Sequence, residues 1–587
     1  MFILLCLTVC FAPLAFGSVE PWACFLLQLS VFSSALFLLL KGGASRHNHF
    51  KKTLIPAALF IAFIGLLQLL RENPVNGPYY FLFTSWRPAT ASAVIMWCFY
   101  AALLFIVPQI VCSPQRFKRF LWVVFLTGCA VAAIGIIQGT GGESRLIYGI
   151  REAPGNPFGP FINRDHAANF LLMSAMCGFG LFFAGLKEII RAGGTADFYN
   201  GIAAEAALFA SSAGLIFVIY EIGCRGALYS FALTCLVFGI IGSFFMIRGK
   251  KIRAAALAGL SLLLAGHLFI LYNNPRLAGL EGGKISGTAL SRLDMYKSGL
   301  NLLGDYPVFG TGLGSLRQSL HYYKINGMSR RKIVDSLHSD FLELFVETGF
   351  VGGAVFCAAV LGALLFALKR WKECRSFRMK ALYGGAMAAV VAAGLHNCVE
   401  FGFSMPSNSL VCFSLLGLLA SAPVRLGRHM HESFEEEIRG PEPSPMTKCL
   451  AAAVFLSLLY IPFRHAVGSV YYAASKDSRL QFYSREAYAA EAISWYKDAD
   501  YILYLASLRY NYTFRRKPIS PEVKLENLKR DLRPYRSRLQ TDFNMNRFYY
   551  AASARLLRLG GAAGGAPVAS DYALAASVLP GRDAGLK

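Results

Sequence analysis

Apolar residues along this chain come in long runs with no polar face. Leu54 to Leu70 carries no charged residue, and neither does Thr90 to Cys112. A run of ~18 or more such residues is long enough to cross the hydrocarbon layer as a helix. A soluble helix of that length would be interrupted by charges on its solvent face. On this length criterion the pattern predicts about thirteen spans. They start near Phe2, Pro21, Thr53, Thr90, Arg119, His166, Ile202, Gly226, Ala254, Phe350, Ala381, Ser407 and Cys449. The first run resembles a signal peptide in length but lacks a basic n-region, and Phe16-Gly17-Ser18 leads straight into the next run. It is expected to be a retained helix. The predicted fold class is all-α, a polytopic membrane bundle of about 12–13 transmembrane helices.

Composition agrees. Of 587 residues, 55% are hydrophobic and 16% are charged. Soluble domains carry about 25% charged residues, so the chain lacks the polar surface a soluble protein of this size requires. The fourteen cysteines show no C-x-x-C spacing, and most sit inside apolar runs. There they act as small hydrophobes, which argues against a disulfide framework or a zinc site. The net charge of +24 raises the question of nucleic acid. Most Lys and Arg, however, lie in short loops between spans, as topology signals and lipid contacts do. No nucleic-acid partner is expected.

Loop charges then give an orientation. Lys41 to Lys52 holds four Lys or Arg, Arg116 to Arg119 three, Arg248 to Arg253 four, and Lys369 to Lys380 six. Ser18 to Trp22 holds none and Arg71 to Ala89 two. The rich loops are cytoplasmic by the positive-inside rule, and so is the amino terminus. An odd number of spans puts the carboxyl terminus outside. Outside too lie Thr140 to Asp165, the turn Glu221 to Arg225, the turn His396 to Asn408 and the long loop 273–340. That loop carries nine Lys or Arg against five Asp or Glu, a basic surface suited to an anionic ligand.

The main bundle is expected over residues 1–425, with 273–340 as its long periplasmic loop. A cytoplasmic linker at 426–448 contains Glu435-Glu436-Glu437, and the last transmembrane helix is expected at 449–464. Residues 465–560 read as a small α-helical periplasmic domain. In it, Ala487 to Tyr510 and Asn544 to Leu559 carry Ala and Tyr at helix-face spacing, in the manner of two degenerate tetratricopeptide helices. The Ala/Gly-rich stretch 561–587 is expected to be disordered.

Ionisable groups at membrane depth are costly and ask for a reason. Arg225 stands between two apolar runs with almost no loop; it is either an anion-binding guanidinium at the mouth of the bundle or a snorkelling side chain. Arg292 opens an amphipathic segment. Gly310, Gly312 and Gly314 follow in a Gly-rich stretch that suggests tight turns and exposed amides. That stretch lacks the Lys-Ser/Thr ending of a P-loop, so nucleotide binding is rejected. His338 stands where the basic loop re-enters the membrane, followed at helical spacing by Asp340, Glu343 and Glu347. An imidazole there can exchange a proton near neutral pH, or it can be structural. The three carboxylates equally suit hydrogen bonding within the bundle. Asn163-Arg164-Asp165-His166 and His396-Asn397-Cys398-Val399-Glu400-Phe401 each flank a span, where capping and interface anchoring are the plain readings. All these clusters fall on one side of the membrane.

Several of these stretches resemble the O-antigen ligase and O-antigen polymerase family. They are Phe158 to His166, the run from Arg292 through Tyr306-Pro307-Val308-Phe309-Gly310-Thr311-Gly312-Leu313-Gly314, and His338-Ser339-Asp340-Phe341-Leu342-Glu343. Pro13 to Trp22 and His396 to Asn408 resemble a branch with a tetratricopeptide-like tail. Asp165 stands where the family usually has Asn, and Ser339 where Asn is frequent. The resemblance covers roughly residues 1–425 and implies a membrane glycosyltransferase of the GT-C class, working without metal or other cofactor. Its donor would be a glycan on undecaprenyl diphosphate, and its acceptor a hydroxyl of lipid A-core sugar. A second lipid-linked repeat (polymerase) or a protein hydroxyl are the alternative acceptors. The implied location is the bacterial inner membrane with a periplasmic active face. Carried over by motif, His338 would be the general base, and Arg225 and Arg292 would bind the diphosphate. Asn163, Arg164, His166, Asp340, Glu347 and His396 would support them. The chemistry is coherent, because guanidinium groups hold developing phosphate charge and a sugar hydroxyl needs a base.

A transporter of lipid-linked sugars is the rival from another class. It should show matched interrupted spans in its two halves, and the long outer loop occurs once. A scaffold of cell-wall assembly, binding through its tail, is a third reading.

Overall fold

The computed structural model describes residues 1–41, 52–73, 75, 82–140, 146–148, 151–152, 156–189, 195–247, 249–273, 280–281, 284–285, 287–325, 334–420, 443–496, 498–516 and 523. Helices dominate. In chain order they are α1 (Phe2–Leu14), α2 (Pro21–Leu40), α3 (Leu54–Gln68), α4 (Arg87–Ile110), α5 (Pro114–Thr140), α6 (Arg164–Ile189), α7 (Thr195–Ile222), α8 (Arg225–Met246) and α9 (Lys250–Asn273). The long loop 273–340 adds α10 (Gly287–Asp305) and the short α11 (Leu316–Ser319). Then come α12 (Asp340–Glu373), α13 (Phe377–Asn397), α14 (Pro406–Leu419), α15 (Pro445–Ser475), α16 (Phe482–Trp495) and α17 (Ala499–Arg516). Two short antiparallel hairpins, Leu146–Ile147 with Arg151–Glu152 and Leu280–Glu281 with Lys284–Ile285, are the strands among the described residues.

Each of the expected spans coincides with a helix. Nine of the described helices are long and apolar enough to cross a membrane; α1, α3 and α14 are apolar but shorter. A 15-residue helix such as α3 reaches only ~22 Å at 1.5 Å per residue, short of the ~30 Å hydrocarbon layer. The charge-free run from Leu54 to Leu70 therefore overstated the helix slightly. The helix of the last expected span runs well past 449–464 in both directions, as the 31 residues of α15. Most of the expected linker, Asn544 to Leu559 and 561–587 lie outside the described residues.

Helix ends follow local chemistry. Pro occupies the first turn of α2, α4, α14 and α15, where its missing N–H costs nothing. Ser339, Ser376 and Ser444 cap α12, α13 and α15, each accepting a backbone N–H with its side-chain oxygen. Such a cap is worth about 1 kcal/mol.

The centre of the bundle is α6 against α13. A Cβ on Gly180 would stand 2.8 Å from the Cα of Gly385, and one on Gly385 would stand 2.6 Å from the Cα of Gly180. The two helices cross backbone to backbone, the close approach small residues permit in membranes. α14 packs beside them with all of its residues buried. α4, α5, α7 and α8 surround this centre, and α15 lies along α2.

α12 is two helices joined at Gly349, whose φ of 68° and ψ of −173° break the spiral. A Cβ there would meet the Val308 carbonyl oxygen at 2.1 Å. The long loop seats into this break: Phe350 N–H donates to the Pro307 carbonyl at 2.7 Å, and Thr311 N–H to the Val346 carbonyl at 3.1 Å. The loop shares an apolar core with Val75 and Phe83 from between α3 and α4, to which it contributes Leu302, Tyr306, Leu320 and Leu337.

Candidate functional site

The site lies where α10, the start of α12 and the turn between α13 and α14 meet. His338 immediately precedes the capped start of α12. Its φ of +53° is left-handed, which costs a non-glycine residue roughly 1–2 kcal/mol. Local bonds hold it there. His338 N–H donates to Ser336 Oγ at 2.9 Å, and its carbonyl accepts from the Tyr296 hydroxyl at 3.1 Å. The imidazole Nδ1 meets Glu400 Oε2 at 3.0 Å, and the ring stands edge-on to Phe401 with centroids 4.9 Å apart. The side chain remains 27% exposed, while that of Glu400 is 2% exposed. The base candidate therefore faces outward on a buried carboxylate.

Glu400 has a second partner. Arg292 Nη2 donates to Glu400 Oε1, and Arg292 Nη1 to the Val399 carbonyl at 3.2 Å. Burial alone pushes the Glu400 carboxyl up; the His338 hydrogen bond and the charge of Arg292 outweigh it and hold the group below its ordinary value. One carboxylate thus links the two residues singled out from the sequence. Arg292 and Tyr296 are four residues apart on α10, so they share a face. That face grips the Val399–Glu400 turn at one point and His338 at the next.

Asp340 fixes the turn from the other side. Its N–H donates to the Glu400 carbonyl at 3.2 Å, and its carboxylate accepts from Phe403 N–H at 2.8 Å and Ser404 Oγ at 3.3 Å. Glu343 accepts from Leu337 N–H at 2.6 Å and from Ser336 Oγ. Glu347 stands apart from His338 and accepts from Leu316 N–H at 3.2 Å. The Gly-rich loop does not present its amides. Gly312 N–H donates to the Glu347 carbonyl at 3.2 Å, and Leu313 N–H to Gln68 Oε1 at 2.9 Å. Its glycines serve positive φ values of 70°, 115° and 71° at Gly310, Gly312 and Gly314, so the exposed amides expected from the sequence are spent on packing.

The remaining sequence candidates divide. Asn163 caps α6, accepting from Asp165 N–H at 2.9 Å, and the Arg164 side chain is exposed. His166 is buried beneath the turn, edge-on to Phe401 at 4.6 Å. His396 is buried with Nε2 3.5 Å from Cys224 Sγ. Arg225 follows Cys224 as the first residue of α8. A Cβ on the next residue, Gly226, would lie 3.0 Å from the His396 ring and 3.2 Å from Val399. Arg225 therefore flanks the same turn as Arg292. Arg292, His338, His396 and His166 gather around the Val399–Phe401 turn, Arg225 reaches it only through its neighbour Gly226, and Glu347 stands outside. Among the described residues, no three His, Cys, Asp or Glu side chains are grouped to hold a metal ion.

Sequence reasoning singled out neither Glu400 nor Tyr296. Glu400 had one signal, an acid inside a short turn between two apolar runs. Tyr296 had a weaker one, its spacing of four from Arg292.

The sequence model of a family described as O-antigen ligase matches residues 210–357. The match makes this segment, about a quarter of the chain, similar to O-antigen ligases, and the long apolar helices make the chain a multi-pass membrane protein. The matched segment contains Arg225, Arg292 and His338 and stops before Glu400. No curated protein matches the chain. The tail expected to be tetratricopeptide-like lies outside the matched segment; in it α16 and α17 form a helical hairpin packed on α15.

Proposed function

We propose, with that O-antigen ligase match as premise, that the protein transfers a glycan from undecaprenyl diphosphate to an acceptor hydroxyl on the periplasmic face of the inner membrane. The favoured acceptor is a lipid A-core sugar. The observation that carries this reading is the Arg292–Glu400–His338 arrangement at the outer end of the bundle. With its Nδ1–H given to Glu400, the imidazole keeps its Nε2 lone pair for the acceptor hydroxyl; the tautomer is assigned from this partner. The acceptor oxygen attacks the anomeric carbon, His338 takes its proton, and the bond from that carbon to the diphosphate oxygen breaks. Arg292, bound to the turn, and Arg225, next to the Gly226 that packs against it, would hold the charge that develops on the departing diphosphate. The orientation given by the positive-inside rule supports the periplasmic face.

Purified protein supplied with an undecaprenyl-diphosphate-linked glycan and a lipid A-core acceptor is expected to form the conjugate. No conjugate with any hydroxyl acceptor sinks the reading. Deletion of the gene separates the family's two activities: loss of all long chains from lipid A-core indicates a ligase, and chains cut to one repeat indicate a polymerase.

A further inference from the structure

Among the described residues four non-glycine residues hold a positive φ, and His338, at +53°, is the one in the candidate site. Such a conformation persists only where its surroundings over-determine it. Here the surroundings converge on one carboxylate that the transfer chemistry leaves unused. Glu343, in the first turn of α12, reaches back over the helix start. Its Oε1 accepts from the Leu337 N–H at 2.6 Å and from the Ser336 hydroxyl. The same hydroxyl oxygen accepts the His338 N–H at 2.9 Å. Two consecutive peptide N–H groups are therefore tied to Glu343, one directly and one through Ser336.

The chain is anchored on both sides of this joint. Before it, the Leu337 side chain is buried in the apolar core of the long loop. After it, Ser339 caps α12 and the Asp340 N–H donates to the Glu400 carbonyl at 3.2 Å. His338 lies between, with Nδ1 3.0 Å from Glu400 Oε2. An ordinary helical φ is about −63°. Relaxing to it would turn the His338 Cβ by ~115° relative to the Leu337 peptide. Leu337 could not then stay in its core while the imidazole stays on Glu400. The strained φ is what lets both contacts exist.

We propose that Glu343 is a positioning residue. Through Ser336 and the Leu337–His338 backbone it holds His338 left-handed, and so keeps the imidazole on Glu400. This rests on the transfer reading above, in which Nε2 of that imidazole takes the acceptor's proton. The diphosphate is assigned there to Arg292 and Arg225, so Glu343 acts on turnover and not on donor binding. A carboxylate in a first helical turn also favours the helix through its charge alone. The two roles separate on amidation. Glutamine loses the charge but keeps the Oε1 acceptor, and positioning requires only the acceptor.

Two measurements test it on the full chain in lipid nanodiscs. With the undecaprenyl-diphosphate-linked glycan and acceptor, Glu343→Leu should lower kcat about tenfold, with donor KM within about twofold of wild type. Glu343→Gln should keep most of the wild-type kcat. Ser336→Ala, which removes the link to the His338 N–H, should lower kcat at unchanged KM. Wild-type kcat in Glu343→Leu and Ser336→Ala, a loss seen in KM instead, or a Glu343→Gln as slow as Glu343→Leu overturns the proposal. The second measurement needs no turnover. His338→Gly and His338→Ala both lack the imidazole, so the difference between them reads the backbone at that position. Glycine enters the left-handed region freely and alanine does not. His338→Gly should therefore melt at a higher temperature than His338→Ala, and adding Glu343→Leu to each should abolish the difference. No difference at the outset, or one that survives Glu343→Leu, overturns the proposal. If wild type makes no conjugate, the transfer reading fails instead, and the melting comparison still decides whether Glu343 sets the backbone at His338.

Discussion

Two apolar helices of this protein live in opposite surroundings. Every residue of α14 is buried. In α9, only His267 and Leu271 are buried, while Leu262 and Leu263 are each 74% exposed. Both helices read as hydrophobic runs, because lipid tails and a protein core reward the same side chains. What separates them is polar and small residues. α14 opens with Ser407, Asn408 and Ser409, which are 0% exposed, and it lies by the glycine crossing of α6 and α13. α9 is bound mainly to α8, through His267, which meets the Tyr220 hydroxyl and the Leu228 carbonyl. Packing that has to be specific is marked by residues lipid would reject. The candidate site is built on the ends of the specific helices, which would give a catalytic geometry its rigidity.

Four experiments would break or sharpen this contrast. His338→Ala should lower glycan transfer by about 10²–10⁴-fold, the usual weight of a general base, with the melting temperature in detergent unchanged. Full transfer in that variant removes His338 from the chemistry. Gly385→Leu should fail at the other level. The Gly180 Cα lies 2.6 Å from the added Cβ, so the helix crossing must open, at a cost of about 3 kcal/mol or more. Normal thermal stability would show that the centre is not the specific part. Glu400→Gln keeps the turn's shape but removes the charge shared by His338 and Arg292. Transfer should fall about tenfold or more, as with other partners that orient an imidazole. The same change reads a pH effect. The Glu400 carboxyl is held below its ordinary value of 4.5 in the folded protein. Its stabilisation is therefore complete above that value and is lost as pH falls through the lowered one. Wild type should lose more thermal stability than Glu400→Gln on acidification below 4.5; equal losses would show the pair contributes nothing. The smallest effect belongs to the periphery. Leu262→Ala in α9 should change stability by less than about 0.5 kcal/mol, and a larger loss would mean that face is covered by protein.

The helices were legible from hydrophobicity alone, since a bilayer leaves a spanning backbone few alternatives. Helix lengths were less legible, because α3 and α14 trade length for burial among neighbours. His338, Arg292 and Arg225 stood out because charge beside apolar runs is expensive. Glu400 did not, since a carboxylate in a turn passes for a solvated group until its burial is seen. Glu347 illustrates the converse. Its spacing after His338 looked like chemistry, yet its backbone and carboxylate hold the Gly-rich loop. The bonds that define the site join residues 62 and 108 apart in the chain, and no local pattern encodes them.

The break at Gly349 has a further meaning for a substrate anchored by its lipid. α12 would measure ~51 Å if straight, far more than the hydrocarbon layer needs. Divided at Gly349 and seated on Val308, it becomes a membrane rod below and a fixed post above. The nine helical rises from Asp340 to Gly349 make that post ~14 Å tall, and His338 stands at its top. With the proposed polyprenyl-linked donor, whose lipid would set the height of its diphosphate above the oil, the glycine joint would act as a depth gauge matched to that cargo. A residue inserted above the joint would alter the height of the base without altering a single group in the site.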